Sequence, residues 1–108
     1  MEITRFQKLI RDTYIHHDSR RGLDNTVEWF LSEVYEFIKA LNGEGDIEEE
    51  AADVAAWLVS IMNLLNIDLD NAVRKRYGEG CPKCISIPCR CDYRETPDKK
   101  VRIEIRNQ

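Results

Sequence analysis

Two acidic doublets, Glu33-x-x-Glu36 and Glu50-x-x-Asp53, and a run of four cysteines carry most of the chemical potential of this 108-residue chain. Carboxylates three residues apart are neighbours on one face of a helix. Asn42-Gly43-Glu44-Gly45 lies between the doublets and has the composition of a turn. A chain folding back there brings four carboxylates to one place. Oxygen ligands alone select a hard cation, and Mg²⁺ is preferred where substrate phosphates complete its octahedron. Acidic faces without such a role are solvated, which is the reading for Glu48 and Glu49 at a helix start. Cys81, Cys84, Cys89 and Cys91 form CxxC and CxC halves, four residues apart. They can supply four thiolates to a tetrahedral Zn²⁺, a structural site because no coordination position stays open. Their clustering favours a metal knuckle in a reducing compartment over a disulfide framework.

The elements that must position these groups read as helices. Ile3, Phe6, Leu9, Ile10 and Tyr14 recur at a helical period over residues 3–17. The polar run from His16 to Gly22 predicts a loop, with His16 and His17 at a solvated helix end that suits the helix dipole. Asn25 and Glu28 have the spacing of a capping box for a second helix. Val27, Phe30, Leu31, Val34, Phe37, Ile38 and Leu41 form its core stripe, and Trp29, Glu33, Glu36 and Ala40 a second stripe beside it. Asp46 and Glu49 repeat the capping pattern before a third helix that is apolar nearly all round over residues 51–65. Such a helix is central and surrounded. Only the stripe Glu50, Asp53, Trp57 and Ser60 breaks its apolarity. Asp53 stands out, because a carboxylate on a buried helix is costly unless paired or metal-bound.

Asp68 caps a fourth helix that Gly78 and Gly80 end. Short connections make successive helices antiparallel. The expectation is therefore an all-α, four-helix antiparallel bundle over residues 1–79, with a four-cysteine metal knuckle and basic tail over residues 80–108. Val101, Ile103 and Ile105 alternate with charged residues as a short edge strand would. At ~1.5 Å per residue, Glu36 and Asp53 each lie ~9–10 Å from the hairpin turn and are level across it.

Composition excludes several classes. At 43% hydrophobic and 33% charged, the chain is that of an ordinary globular domain. Residues 1–73 carry 6 basic and 15 acidic side chains, whereas residues 74–108 carry 10 and 5. The body is a poor surface for nucleic acid, and only the tail attracts phosphate. The N-terminus lacks the apolar run of a signal peptide, and no apolar segment is long enough for a membrane span, so a cytoplasmic protein is expected.

Taken in order, these residues resemble the MazG-like nucleotide pyrophosphohydrolases of the all-α NTP pyrophosphatase superfamily. The resemblance rests on Glu33-x-x-Glu36, thirteen residues, then Glu50-x-x-Asp53, similar to that family's ExxE…ExxD motif. Phe6-Gln7, Tyr14, Asp18-Ser19-Arg20-Arg21-Gly22, Trp29, the segment over residues 52–58 and Asn66-Ile67-Asp68-Leu69 extend it across residues 3–77. The cysteine segment resembles that of archaeal-type members with a small C-terminal knuckle. Two departures are visible. Ser32 precedes Glu33 where the family commonly has a second glutamate, and Arg74-Lys75-Arg76 runs into Gly78 where some members carry Lys and Asn.

The resemblance implies Mg²⁺-dependent hydrolysis of a nucleoside triphosphate to the monophosphate and pyrophosphate, as in nucleotide-pool house-cleaning. It implies that Glu33, Glu36, Glu50 and Asp53 hold Mg²⁺ and that a glutamate, here Glu36, takes the proton of the attacking water. Trp29 and Trp57 are candidates for the base pocket, and Lys8, Arg11, Arg20, Arg21 and Arg76 for phosphate contacts. It also implies a homodimer or homotetramer. The competing reading is a zinc-knuckle module that binds nucleic acid through its basic tail, or a regulatory nucleotide binder, on a non-catalytic helical dimer.

Overall fold

The computed structural model describes residues 1–99 and 101. Four helices form: α1 (Ile3–Arg21), α2 (Leu23–Leu41), α3 (Ile47–Leu64) and α4 (Leu69–Tyr77), with no strand among the described residues. The all-α, four-helix expectation holds. The edge strand expected at residues 101–105 falls largely outside the described residues.

Central position belongs to α3, which packs most extensively on α2 and next on α1; α4 turns by 102° from α3 and rests on α1. The hairpin between α2 and α3 closes where Asn42 donates its side-chain amide to the Ile38 carbonyl (3.2 Å) and the Glu44 N–H reaches the Lys39 carbonyl (3.0 Å). Asp46 accepts from the Glu49 N–H at 3.1 Å and Asp68 from the Asn71 N–H at 3.4 Å. The N-caps expected at Asp46 and Asp68 are therefore made.

The first two helices depart from expectation at their junction. The helix α1 does not end at the histidines but continues to Arg21, and α2 starts at Leu23 rather than after Asn25. One residue, Gly22, separates them. Its φ of 84° and ψ of 169° lie in a region essentially reserved for glycine. There the chain can reverse without a loop. Thr26 then donates its hydroxyl to the Gly22 carbonyl at 2.7 Å, and Asn25 donates its side-chain amide to the Arg21 carbonyl at 3.2 Å. Asn25 thus closes the end of α1 instead of capping α2 in a box with Glu28.

Gln7 ties α1 to the far end of α3. Its amide nitrogen donates to Asn63 Oδ1 (3.1 Å) and to the Ile67 carbonyl (2.8 Å), while its Oε1 accepts from the Leu69 N–H (2.9 Å). One side chain thereby satisfies an otherwise orphaned donor at the start of α4.

Buried apolar side chains among the described residues are Ile10, Ala40 and Val59, whereas Asp18, Thr26, Ser60 and Asn63 are buried polar ones. Most of the expected α2 stripe is half-buried. Leu31 is not: it is 60% exposed, on the outer side of α2 together with Tyr35. On α3, Ala51, Ala52, Ala55 and Leu58 are also exposed, so the central helix keeps one apolar side uncovered within a single chain. Among the described residues, no single helix is long and apolar enough to cross a membrane.

Candidate active site

Glu33 comes from the middle of α2, and Glu50 and Asp53 from the first half of α3. The antiparallel α2–α3 pairing makes them meet. One carboxylate oxygen of each lies within 4.8 Å of those of the other two, and all three side chains are half-buried. Burial, then the charge of Asp53, then those of the neighbouring glutamates push the Glu33 carboxyl above its ordinary value. Glu50 is raised as well, by burial first and Asp53 next, then by Glu36, Glu49 and Asp46. Carboxylates that repel one another at this distance are stabilised by a nearby positive charge. All-oxygen donors fit a hard divalent cation.

Glu36 stands one turn along α2 and outside this group of three. Its carboxylate is near enough to raise both Glu33 and Glu50, and Lys39 lies 3.7 Å from it. Lys39 is therefore a cation that the sequence reading overlooked, though the i, i+3 spacing could have found it.

Beside the carboxylates is a pocket of about 210 Å³ between α1 and α3. Tyr14, His17, Asp18 and Arg21 line it from α1, and Asp53, Ala56, Trp57 and Ser60 line it from α3. Each set follows the i, i+3, i+4, i+7 spacing of one helix face. Asp53 belongs to both the pocket and the carboxylate group. Asp18 is 1% exposed. Its Oδ1 accepts from Arg21 Nη1 at 2.8 Å, while its Oδ2 is buried with no hydrogen-bond partner. Arg21 also lies over the Trp57 ring, 4.8 Å from its centroid. Trp57 in turn stacks with the half-exposed Trp29, centroids 5.5 Å apart and planes 8° from parallel.

The sequence candidates thus divide. Glu33, Glu50 and Asp53 converge, Glu36 flanks them, and Trp57 and Arg21 line the adjoining pocket. Trp29 reaches the pocket only through Trp57. Lys8 and Arg11 line a different groove, with Gln7 and Asn63, and Lys8 pairs with Asp12 at 2.7 Å. Arg76 lies on α4, in cavities shared with Asn71 on one side and with Gly80 and Cys81 on the other. His16 and His17 are exposed with ring centroids 3.9 Å apart, and His17 is at the pocket. Asp18 is the residue that sequence reasoning missed. Its signal was faint: an aspartate in a polar run gains significance only once the helix is known to continue through it.

The four cysteines gather after α4. Their sulfurs all lie within 4.8 Å of one another, with Cys81–Cys91 at 3.8 Å and Cys84–Cys89 at 3.9 Å. With metal–sulfur bonds of ~2.3 Å, a tetrahedral zinc site has sulfur–sulfur edges of ~3.8 Å. The donor set therefore fits zinc. The Arg90 N–H donates to Cys84 Sγ at 3.2 Å and holds that thiol down to about 6, and the Cys84 and Lys83 amides lower Cys81. Thiol neighbours, Cys89 first, push Cys91 up to about 12. The turn is tight: the Cys81 N–H reaches the Ser86 carbonyl (3.1 Å) and the Ile85 N–H the Cys81 carbonyl (2.7 Å). Gly80 has φ 98°, and a Cβ there would sit 2.7 Å from the Ser86 oxygen and 2.5 Å from Ile87 Cγ1.

Compared with known families, residues 21–84 match the model of the MazG nucleotide pyrophosphohydrolase domain, a span that takes in α2, α3, α4 and the first two cysteines. No curated protein matches the chain.

Proposed function

Since the chain belongs to the MazG nucleotide pyrophosphohydrolase domain family, we propose that it hydrolyses a nucleoside triphosphate to the monophosphate and pyrophosphate. The observation that carries this reading is the convergence of Glu33, Glu50 and Asp53, half-buried and mutually repelling, beside a pocket. Glu33, Glu50 and Asp53, with Glu36 one turn away, would hold Mg²⁺. When bound, Mg²⁺ neutralises the polyphosphate and acidifies a water.

In this reading a water attacks the α-phosphorus, the bond from that phosphorus to the bridging oxygen breaks, and pyrophosphate leaves. Glu36 takes the proton of the water, a role supported by its place outside the group of three. Lys39 and Arg21 contribute positive charge on the α2 and α1 sides. The pocket lined by Trp57 and Asp53 holds the base. Lys8, Arg11 and Arg76 line other grooves and serve solvation in this reading, Lys8 also pairing with Asp12.

Residues 1–79 carry this chemistry, and residues 80–108 hold a structural Zn²⁺ on Cys81, Cys84, Cys89 and Cys91. The sulfur spacing supports that assignment. Two chains associate through the exposed apolar residues of α2 and α3, among them Leu31, Tyr35 and Leu58. A nucleic-acid role has one point in its favour, the basic Arg74-Lys75-Arg76 run bordering the cysteine knuckle. Salt-sensitive RNA binding abolished in a K75E/R76E double variant would give that reading priority.

Turnover of a panel of triphosphates with Mg²⁺, comparing wild type, Glu36→Ala and Asp53→Asn, tests the hydrolase. Loss of at least about 100-fold in Asp53→Asn is expected, as for removal of a group that stabilises transition-state charge. Activity unchanged in both variants would reject it.

A further inference from the structure

Asp18 is buried to 1%, its Oδ1 is committed to Arg21, and its Oδ2 has no partner. Nothing in the hydrolytic scheme uses it. A buried carboxylate oxygen without a donor is among the costlier defects a fold can retain, and a ligand donor removes it. The cavity that Asp18 lines is about 210 Å³, smaller than the ~300–1,000 Å³ of pockets for drug-sized ligands. It has room for a flat heterocycle but not for a whole nucleotide. Tyr14 and Trp57 provide aromatic walls, and Asp53 joins the cavity to the carboxylate group. A base held there leaves its polyphosphate directed toward Glu33, Glu50 and Asp53.

We propose that Asp18 is the specificity residue of a nucleobase pocket, its Oδ2 accepting a hydrogen bond from an exocyclic amino group on the base. This rests on the pyrophosphohydrolase reading for the identity of the ligand and adds its base class. Cytosine and adenine present an amino group where uracil and hypoxanthine present a carbonyl. A carbonyl oxygen set against Oδ2 pairs two acceptors with no proton between them. A site built around a hydrogen bond rejects the analogue that lacks it far better than an apolar pocket rejects a missing methylene. Arg21 holds the carboxylate in place through Oδ1 and so leaves Oδ2 as the reading atom. Such a pocket runs against a role in clearing deaminated nucleotides.

Two measurements on the 108-residue chain test this. In EDTA, quenching of intrinsic tryptophan fluorescence is titrated with cytidine against uridine and adenosine against inosine. With Mg²⁺, kcat/KM is compared for CTP against UTP and ATP against ITP. Preference for the aminated member of at least about tenfold is expected in both. Asp18→Asn keeps the shape but replaces one acceptor with a donor, and it should erase or invert the preference while circular dichroism and Tm are retained. The wild-type comparison stands even if that variant fails to fold. Equal or absent quenching by the paired nucleosides overturns the proposal. So does a preference that survives in a folded Asp18→Asn, or a variant that changes only the oligomeric state, which would give Oδ2 a partner in a second chain. Hydrolysis of all four triphosphates alike keeps the hydrolase and removes the pocket. Amino-selective quenching without hydrolysis of any triphosphate does the reverse.

Discussion

Glu33 and Glu50 show at the level of single groups what the α2–α3 pairing costs. Both carboxyls are raised above 4.5, so the folded chain holds their protons more tightly than the unfolded chain does. Their contribution to stability is then fullest below pH 4.5 and is lost as pH rises through the raised values. Metal-free protein should lose Tm across that window, and Mg²⁺ should restore most of it at neutral pH. Glu33→Gln is the sharper probe. Removing one of the repelling charges should raise the Tm of the metal-free protein at about pH 7, yet shrink the Mg²⁺-induced rise. A variant less stable without metal, with an undiminished response to Mg²⁺, would contradict the assignment. Asp53 could be found from sequence because a carboxylate on an apolar helix violates its surroundings. Asp18 could not, since its burial depends on packing between α1 and α3, elements far apart in the chain. That the two doublets meet was legible because a short turn joins their helices. Levels counted from that turn paired Glu36 with Asp53, whereas Glu33 is the α2 carboxylate that joins Glu50 and Asp53.

At the scale of elements, two glycines decide how the active parts are held. Gly22 lets α1 and α2 meet without a loop, and its conformation is one that side chains avoid. Gly22→Ala should destabilise by about 1–3 kcal/mol even though open space surrounds the position, because the cost is backbone strain alone. Thermal unfolding measures it, and an unchanged Tm would mean that the junction is not rigid. Gly80 is different, because there a Cβ would strike the Ser86 carbonyl and the Ile87 side chain. Gly80→Ala should leave the helices folded by circular dichroism but lower the zinc content of purified protein; full retention of zinc would show that the turn can adjust. The capping residues Asp46 and Asp68 were readable from a local rule and obey it. Asn25 and Glu28 satisfied the same rule and do not cap. A residue with a helix directly before it is in competition for that neighbour's carbonyls, and here the Arg21 carbonyl wins its side chain. Local patterns hold where a helix starts from a loop and fail where two helices abut.

The whole molecule leaves apolar surface uncovered. Leu31 and Tyr35 are 60% and 61% exposed and Leu58 is 36% exposed, on the two helices that carry the carboxylates. Light scattering at micromolar concentration should find at least a dimer, and a charged replacement such as Leu31→Glu should shift it toward monomer; a monomeric wild type would contradict the association proposed here. That surface could be suspected from the all-round apolarity of α3 but not located, because which side stays bare depends on how α1 and α2 divide the rest. Joined to the family match, the acidic group and its pocket make one claim central, that the α–β phosphate anhydride of a nucleotide is cut under Mg²⁺. Phosphorus NMR of a wild-type reaction with a hydrolysed triphosphate tests it directly. Monophosphate and pyrophosphate should appear in equal amounts, formed with Mg²⁺ and absent in EDTA. Diphosphate and inorganic phosphate as products, or no Mg²⁺-dependent turnover of any triphosphate, would contradict it.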